Sequence, residues 1–237
     1  VNSTFTPGSA IIHGVKYEPV AIHFYESLKD VHVFEYGCIP HPTIEYFGAS
    51  PDGICDVTSN NKNMIGRMLE IKCPKSRTIT GFVPEHYELQ IQGQLEVCDL
   101  NYCDYLECII HEYKDVEEFI NDTESIMKGI VLEKYNTVEN KSEYVYNYTL
   151  KDKLSIDFWM NTMINNILNS EHYDYIGIYY WKLVNYKLTL VKRDKYRFDT
   201  SILSQITSFW NDVIYHRKNG YESLVKISKI KKPKLEK

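Results

Sequence analysis

The sequence lacks long apolar runs and a secretory leader, and these absences exclude two classes of protein. No stretch of the 237 residues approaches the roughly 20 apolar residues that a membrane-spanning helix needs. The N-terminal segment, VNSTFTPGSA, has neither the basic region nor the apolar region of a secretory signal. We therefore expect an intracellular protein that is neither secreted nor embedded in a membrane.

The spacing of the cysteines does not indicate a metal site, because no two of them form a CxxC pair. A structural zinc site usually contains such a pair, and a disulfide framework is typical of much smaller secreted chains. We expect all six to be reduced, as in intracellular proteins: Cys38, Cys55, Cys73, Cys98, Cys103 and Cys108.

The net charge of −5 is unusual for a nucleic-acid-binding protein, but the charge is unevenly distributed. Residues 226–237 contain six Lys and one Glu, a local balance of +5, so the remaining residues sum to −10. A nuclease needs carboxylates for metal binding and cations only where phosphates lie, so the total does not exclude DNA. The basic tail is either a DNA contact or a solvated chain end. A second basic run, from Lys182 to Arg197, could face DNA or solvent.

The hydrophobic pattern predicts an α/β fold, with a mixed central sheet flanked by helices. We expect one domain over 1–237, with a core at about 14–111, helical and hairpin additions at about 112–219, and the basic tail. Pro19 fits the first helix only near its first turn. The predicted helices are 14–28, 86–97, 115–134, 153–169 and 199–217, and the predicted strands are 43–50, 67–72, 103–111, 175–184 and 186–192, the last two forming a hairpin around Asn185.

Two short motifs, SPDG at 50–53 and LEIKCP at 69–74, contain the residues that suggest chemistry. Glu70 and Lys72 are two apart in a predicted strand, so their side chains project from one face. Asp52 is expected at the end of the preceding strand, where Pro51 and Gly53 permit a sharp bend. If the two strands are neighbours, Asp52 and Glu70 converge.

Two converging carboxylates are the oxygen ligands that Mg²⁺ or Mn²⁺ prefers, with water and a substrate phosphate completing the coordination. Such a metal polarises the phosphate and lowers the pKa of an attacking water. Lys72 could orient or deprotonate that water and offset developing charge. The alternative is a surface strand with an exposed Glu–Lys pair, because Glu-x-Lys alone occurs by chance in most chains of this length.

The order of the motifs along the chain favours the metal site over a surface strand with an exposed Glu–Lys pair. SPDG, then LEIKCP, then HYELQIQGQLEV resembles the lambda-exonuclease and YqaJ-type viral recombinase family of PD-(D/E)xK nucleases. The upstream segment YEPVAIHFYE is similar to the first core helix of that family. The resemblance extends over about 14–111 and more loosely through YIGIYYWKL. It implies a restriction-endonuclease-like PD-(D/E)xK core and a metal-dependent DNA nuclease.

The resemblance also implies roles for individual residues. Asp52, Glu70 and the backbone carbonyl of Ile71 would bind Mg²⁺, with Mn²⁺ as a substitute. Glu18 would reach the metal directly or through water, although a carboxylate in a helix's first turn also suits the helix dipole. The implied catalytic residues are Asp52, Glu70, Lys72, Gln90 and Glu18.

DNA-contacting residues are predicted shortly before the second predicted helix and within that helix. Arg77 and Lys75 follow the catalytic strand and suit phosphate contacts, although a solvated basic turn is the alternative. Tyr87, Gln90 and Gln94 share one helix stripe, and their polar groups could hold a DNA strand. Gln92 and Gln94 could equally belong to an ordinary polar helix face.

The resemblance favours a 5′→3′ exonuclease that digests linear duplex ends, leaves a single-stranded product and serves recombination or repair of a viral genome. Its location would be the host cytoplasm or nucleus, and its partners a second copy or a single-strand annealing protein. A structure- or sequence-specific endonuclease and a catalytically idle DNA-binding subunit remain alternatives, because one fold serves many functions.

One departure from the family concerns the start of the chain. Family members usually have an upstream helix with an Arg that helps to form a 5′-phosphate pocket. The segment VNSTFTPGSAIIH contains no Arg. We therefore expect either that this chain lacks the upstream N-terminal helix or that its 5′-end anchor is built differently.

Overall fold

The computed structural model describes residues 8–220, which contain helices and nine strands in a mixed order. The predicted basic tail at 226–237 lies outside the described residues. In chain order the elements are α1 (Ser9–Lys29), β1 (Val33–Phe34), β2 (Ile39–Pro40), β3 (Gly48–Ala49), β4 (Gly53–Cys55), a 3₁₀ turn (Lys62–Met64), β5 (Met68–Lys72), α2 (Glu85–Val97), β6 (Tyr102–Glu112), α3 (Val116–Asn121), β7 (Met127–Asn136), β8 (Lys141–Asn147), α4 (Lys153–Leu168), β9 (Tyr173–Lys192), α5 (Lys195–Arg197), a π-helical stretch (Phe198–Ile202) and α6 (Leu203–Asn219).

Seven strands form one sheet in the order β1-β4-β5-β6-β9-β7-β8, and β2 pairs with β3 separately. Strands β5 and β6 are parallel, and the other neighbours in the large sheet are antiparallel. A parallel step needs a long crossover, and α2 provides it between β5 and β6. The predicted α/β class with a mixed central sheet is confirmed.

Helices α1 and α2 pack on opposite faces of the sheet. Leu69 and Ile71 of β5 lie in the same buried cluster as Tyr17 of α1. Met68 lies in a second cluster with Ile91 of α2. Because successive strand residues point to opposite faces, the side chains at even-numbered positions of β5 are directed towards α2.

The first helix begins earlier than predicted. Helix α1 starts at Ser9, so Pro19 lies in its interior and not near its first turn. Proline has no N–H, so the carbonyl of Val15 loses its intrahelical donor. Val15 is exposed, and water can satisfy that carbonyl.

The predicted C-terminal hairpin is wrong, because β9 is one continuous strand of 20 residues. Asn185 is not a turn residue but pairs with Ile109 of β6. The register then shifts so that Ile110 pairs with Leu183, which leaves Val184 as the extra residue of a bulge. The polar residue Asn185, which lies beside the bulge, therefore led to the wrong prediction of a turn.

Two further predictions are wrong in part. Of the strand predicted at 43–50, only Gly48–Ala49 is extended. The helix predicted at 115–134 ends as α3 at Asn121, and its second half is strand β7. None of the helices within residues 8–220 combines the length and apolarity needed to cross a bilayer.

Candidate active site

Strand pairing brings Asp52 to Glu70. Strands β4 and β5 are antiparallel with Gly53 opposite Leu69, so Asp52, one residue earlier, continues the register opposite Glu70. The Oδ2 atom of Asp52 accepts a hydrogen bond of 2.6 Å from the Ile71 backbone N–H. The predicted convergence of the two carboxylates is therefore present.

The chain reaches this arrangement differently from the prediction. Asp52 lies immediately before β4, at the start of the following strand, and not at the end of a preceding one. Gly53 is needed there for space, because a Cβ atom would collide with the Val33 side chain of β1. The glycine of the SPDG motif thus permits the edge strand to pack against the site.

The Ile71 carbonyl is on the same side of β5 as Asp52. In a strand, the N–H and C=O of one residue point towards the same neighbouring strand. The Ile71 N–H is directed to Asp52, and its carbonyl therefore points past the end of β4 as well. This geometry supports the predicted third metal ligand.

Glu70 is a fully buried carboxylate with side-chain donors on both oxygens. Its Oε1 accepts hydrogen bonds from Lys72 Nζ and from Gln90 Nε2, the latter at 2.8 Å. Its Oε2 accepts from Gln94 Nε2 at 2.8 Å. The same Gln94 nitrogen donates to the Ser50 carbonyl at 3.2 Å, which connects α2 to the loop before Asp52.

The pKa of the Asp52 carboxyl group is raised by burial and by a neighbouring negative charge. Burial raises the pKa of Asp52 to about 7, the charge of Glu70 adds to the increase, and the Ile71 N–H opposes it. A carboxyl that is difficult to ionise beside another carboxylate is stabilised in its charged form by a cation placed between them.

Glu18 of α1 contributes a third carboxylate. Burial raises its pKa, the charges of Glu35 and Glu70 raise it further, and Lys72 acts in the opposite direction. Glu18 lines the same cleft as Lys72. The structure thus brings Glu18 towards the pair, as the resemblance implied, from the helix on the other face of the sheet.

Lys72 remains a cation in this surrounding. Burial alone would lower the pKa of Lys72, but the charge and hydrogen bond of Glu70 and the charge of Asp52 produce a net increase. Its Nζ atom also lies 4.8 Å from the ring centroid of Tyr87. At neutral pH the protonated amine is therefore a hydrogen-bond donor, which favours orienting a water or phosphate over deprotonation.

The donor set fits a hard divalent cation. Within residues 8–220, no three His, Cys, Asp or Glu side chains are grouped tightly enough to hold a metal by themselves. Magnesium, however, usually takes one or two carboxylates and keeps several waters. Asp52, Glu70 and the Ile71 carbonyl supply oxygen only, which suits Mg²⁺ or Mn²⁺ better than a thiolate-preferring metal.

A cleft of about 520 Å³ opens beside these groups. Glu18 lies on its α1 side, and Lys72, Lys75, Arg77 and Tyr87 lie on the side of β5 and α2. Four of the predicted metal, catalytic and DNA-contacting side chains therefore share one cavity with Lys72.

The predicted phosphate contacts have different environments. Lys75 is exposed. Arg77 is held within the protein, because its Nη1 lies 2.6 Å from Glu107 Oε1 and its Nη2 donates to the Tyr105 hydroxyl at 3.3 Å. Arg77 is nevertheless 38% exposed at its side chain and lines the cleft.

The structure does not bring Gln92 to the cleft. Its side chain is buried, its Nε2 donates to the Lys192 carbonyl at 2.9 Å and its Oε1 accepts from the Asp194 N–H at 2.7 Å. Gln92 therefore joins α2 to the end of β9. Gln94 is equally buried and holds Glu70, so neither amide is placed for a direct contact with DNA.

Much of the second basic run is paired within the protein. Ion pairs join Lys182 to Asp122 at 2.9 Å, Arg193 to Glu96 at 2.7 Å and Arg197 to Glu88 at 3.0 Å. These contacts favour a structural role for the run over a continuous DNA-binding surface.

Sequence reasoning missed Glu107 and Tyr105, which contact Arg77 from β6. A signal was present, since a charged residue within the apolar strand CDYLECIIH is rarely buried without a partner. The partner itself could not be identified from spacing, because it lies 30 residues earlier in the chain.

Comparison with known proteins relates the site-bearing part of the chain to one family. Residues 2–101 match the family model of the YqaJ-like viral recombinase domain. Residues 2–101 are thus similar to the members of this family. The matched range contains Asp52, Glu70, Lys72 and Gln90, so the family prediction is confirmed and a nuclease role is supported.

The individual proteins that align with this chain are either much longer than it or only 23% identical to it. An uncharacterised protein of Acanthamoeba polyphaga mimivirus is 32% identical over 96% of this chain but over only 48% of its own length. The chain therefore spans about half of that relative. An alkaline exonuclease from Laribacter hongkongensis aligns at 23% identity over 69% of each chain with a TM-score of 0.37. The complex of that enzyme with dAMP aligns at 23% identity over 70% of each chain with a TM-score of 0.38.

Proposed function

We propose that this chain is a divalent-metal-dependent deoxyribonuclease. Its active site, which hydrolyses phosphodiester bonds of DNA, is formed by Asp52, Glu70 and Lys72. The observation that supports it most strongly is the register of β4 and β5, which sets Asp52 opposite Glu70 with Lys72 hydrogen-bonded to Glu70. Mg²⁺ is the proposed metal, with Mn²⁺ as a substitute, held by the two carboxylates and the Ile71 carbonyl.

Each side chain has a defined task in this proposal. When bound, the cation would polarise the scissile phosphate and acidify the attacking water. Lys72 Nζ would donate a hydrogen bond to a phosphate oxygen or to that water and offset developing negative charge. Gln90 would keep the Glu70 carboxylate oriented, and Glu18 would accept a hydrogen bond from a water in the cleft.

The proposed substrate is linear duplex DNA, degraded 5′→3′ to leave a single strand. Support comes from the family of the domain and from the exposed Lys75 beside Arg77 at the cleft. The same proposal includes a role in recombination or repair of a viral genome inside the host cell. A second copy of the chain and a single-strand annealing protein are the proposed partners.

An assay with three DNA substrates tests this function. The full chain is incubated with Mg²⁺ and linear duplex labelled at either the 5′ or the 3′ end, and with a covalently closed circle. We expect early release of the 5′ label from the linear duplex and an intact circle. Lys72→Ala should slow cleavage by roughly 100-fold or more, as expected for loss of a transition-state contact.

Other outcomes would identify the alternatives. Efficient cutting of the closed circle would replace the exonuclease proposal with an endonuclease. Early release of the 3′ label would reverse the polarity. Binding of linear DNA without any metal-dependent cleavage would indicate a catalytically idle subunit.

A further inference from the structure

Glu107 is a carboxylate in the sheet interior whose place the proposed chemistry does not explain. It lies on β6 in register with Lys72 of β5, and its side chain is fully buried. Its Oε1 contacts Arg77 Nη1 at 2.6 Å and accepts a hydrogen bond from the Tyr105 hydroxyl at 3.1 Å. Its Oε2 is buried, with no hydrogen-bond partner in the described part of the chain.

A buried carboxylate destabilises a fold unless a cation and hydrogen bonds compensate for its lost hydration. Arg77 is the cation that contacts Glu107 among residues 8–220. The incomplete hydrogen bonding of Oε2 makes the carboxylate a poor choice for stability alone. Its position is better explained by what it does to Arg77.

Glu107 and Tyr105 fix the guanidinium by two different nitrogens. Nη1 is directed to Glu107 and Nη2 to the Tyr105 hydroxyl. Arginine has five N–H donors in one plane, so these two contacts leave others free for a further acceptor. Arg77 also lines the cleft and is 38% exposed at its side chain, with its guanidinium carbon 5.8 Å from the Tyr87 ring centroid, so an acceptor in the cleft can reach the guanidinium.

We infer that Glu107 is a positioning residue, which holds Arg77 so that its remaining N–H groups bind the phosphate backbone of DNA in the cleft. The inference rests on the proposed nuclease function and assigns the substrate contact at that site. Charge-assisted arginine–phosphate bonds depend on direction, so a guanidinium held by a carboxylate binds phosphate better than a freely rotating one.

The buried pair also affects how Arg77 should be tested. Arg77→Ala would leave Glu107 buried and uncompensated, so loss of folding could be mistaken for loss of DNA binding. A double-mutant cycle with Arg77→Gln, Glu107→Gln and both together includes a variant without an unpaired charge, and the Tm of each single variant separates loss of folding from loss of DNA binding. Glu96→Gln is a matched control, since Glu96 is also buried against an arginine, Arg193, at the far end of α2.

The experiment measures kcat and KM for linear duplex DNA and the Tm of each variant. Glu107→Gln should raise KM by roughly threefold to tenfold with kcat nearly unchanged, as for a lost directed contact to a charged group. Arg77→Gln should raise KM at least as much, and the double variant should be no worse than Arg77→Gln. Glu96→Gln should lower Tm without changing KM.

Three results would overturn the inference. They are an unchanged KM for Glu107→Gln, additive effects in the double variant, and a Glu96→Gln effect on KM as large as that of Glu107→Gln. If Glu107→Gln does not fold, Tyr105→Phe should raise KM in the same direction by a smaller factor, and an unchanged KM there would also overturn it. A wild-type chain that neither binds nor cleaves DNA would overturn the proposed function first, before any variant is compared.

Discussion

The proximity of Asp52 and Glu70 is the residue-scale feature on which the proposed chemistry depends. Glu70 is fully buried and Asp52 is half-buried, and the Ile71 N–H and Lys72 offset only part of the resulting cost. An isolated Glu–Lys pair on a surface strand would show none of this burial. The alternative interpretation of the LEIK segment as an exposed strand is therefore inconsistent with the structure.

The raised pKa of Asp52 predicts a specific dependence of stability on pH. With a folded pKa of about 7, the folded state keeps a proton that the unfolded chain releases near its ordinary pKa of about 4. The stability contributed by Asp52 is therefore present below about pH 4 and is lost as the pH rises to about 7. In chelator, Tm of the wild type should fall over this range relative to Asp52→Asn. A constant difference between the two would contradict the shift.

Conservative substitutions of the ligands should remove activity without removing the fold. Asp52→Asn and Glu70→Gln should each retain less than about a tenth of the cleavage rate, which corresponds to an activation barrier raised by more than about 1.4 kcal/mol. Amides are preferred to alanine at position 70, because alanine would leave the donors from Lys72, Gln90 and Gln94 unpaired. Glu133→Gln, a buried carboxylate on β7, should cleave normally. Near-normal rates for either ligand variant would show that the ligands are misassigned.

At the residue scale, proximity could be predicted where the information was local. Asp52, Glu70, Lys72 and Gln90 belong to short ordered motifs, and the structure brings them together. Glu107 was missed because its contact with Arg77 depends on the parallel register of β5 and β6, which only the folded sheet defines.

At the scale of single elements, α2 carries glutamines with two different tasks. Gln94 binds Glu70, whereas Gln92, two residues earlier, binds the backbone at the end of β9. Gln94→Ala should therefore weaken Mg²⁺ affinity by roughly 10- to 100-fold, as expected when a group that orients a metal ligand is lost. Gln92→Ala should lower Tm and leave Mg²⁺ affinity unchanged. Titration calorimetry on both variants checks this, and equal effects on affinity would contradict it.

Two asparagines should respond in opposite ways to replacement by glycine, because one lies within the continuous strand β9 and the other in a turn. Asn185 is within a strand, so Asn185→Gly should destabilise the fold by roughly 0.5–1 kcal/mol. Asn140 has a φ of 53° in the turn between β7 and β8, so Asn140→Gly should be neutral or stabilising. Denaturant unfolding of both variants measures the difference. A stabilising Asn185→Gly would instead indicate the hairpin that the sequence suggested.

Three elements around the site were predicted well. Strand β5, helix α2 and strand β6 lie within about one residue of their predicted limits. Strand β9 was misjudged because a bulge interrupts its alternation. Strand β8 was not predicted, since its partly exposed residues, KSEYVYN, lack a clean apolar face.

At the scale of the whole molecule, the sheet unites regions that the sequence analysis separated. Strand β9 comes from the segment predicted as a C-terminal addition, yet it lies directly between β6 of the core and β7. The α/β class followed from the order of helices and strands. The placement of β9 depends on pairing between distant residues, which local patterns do not encode.

The measurement that tests the central claim most directly is single-turnover release of nucleotides from linear duplex DNA as a function of metal. Wild type and Lys72→Ala are compared in Mg²⁺, in Ca²⁺ and in excess chelator, with DNA binding measured alongside. The account predicts cleavage by the wild type in Mg²⁺ alone, because Ca²⁺ accepts looser geometry and activates water less well. Lys72→Ala should bind DNA like the wild type but cleave it roughly 100-fold or more slowly. Full cleavage by the wild type in chelator, or normal cleavage by Lys72→Ala, would contradict the account.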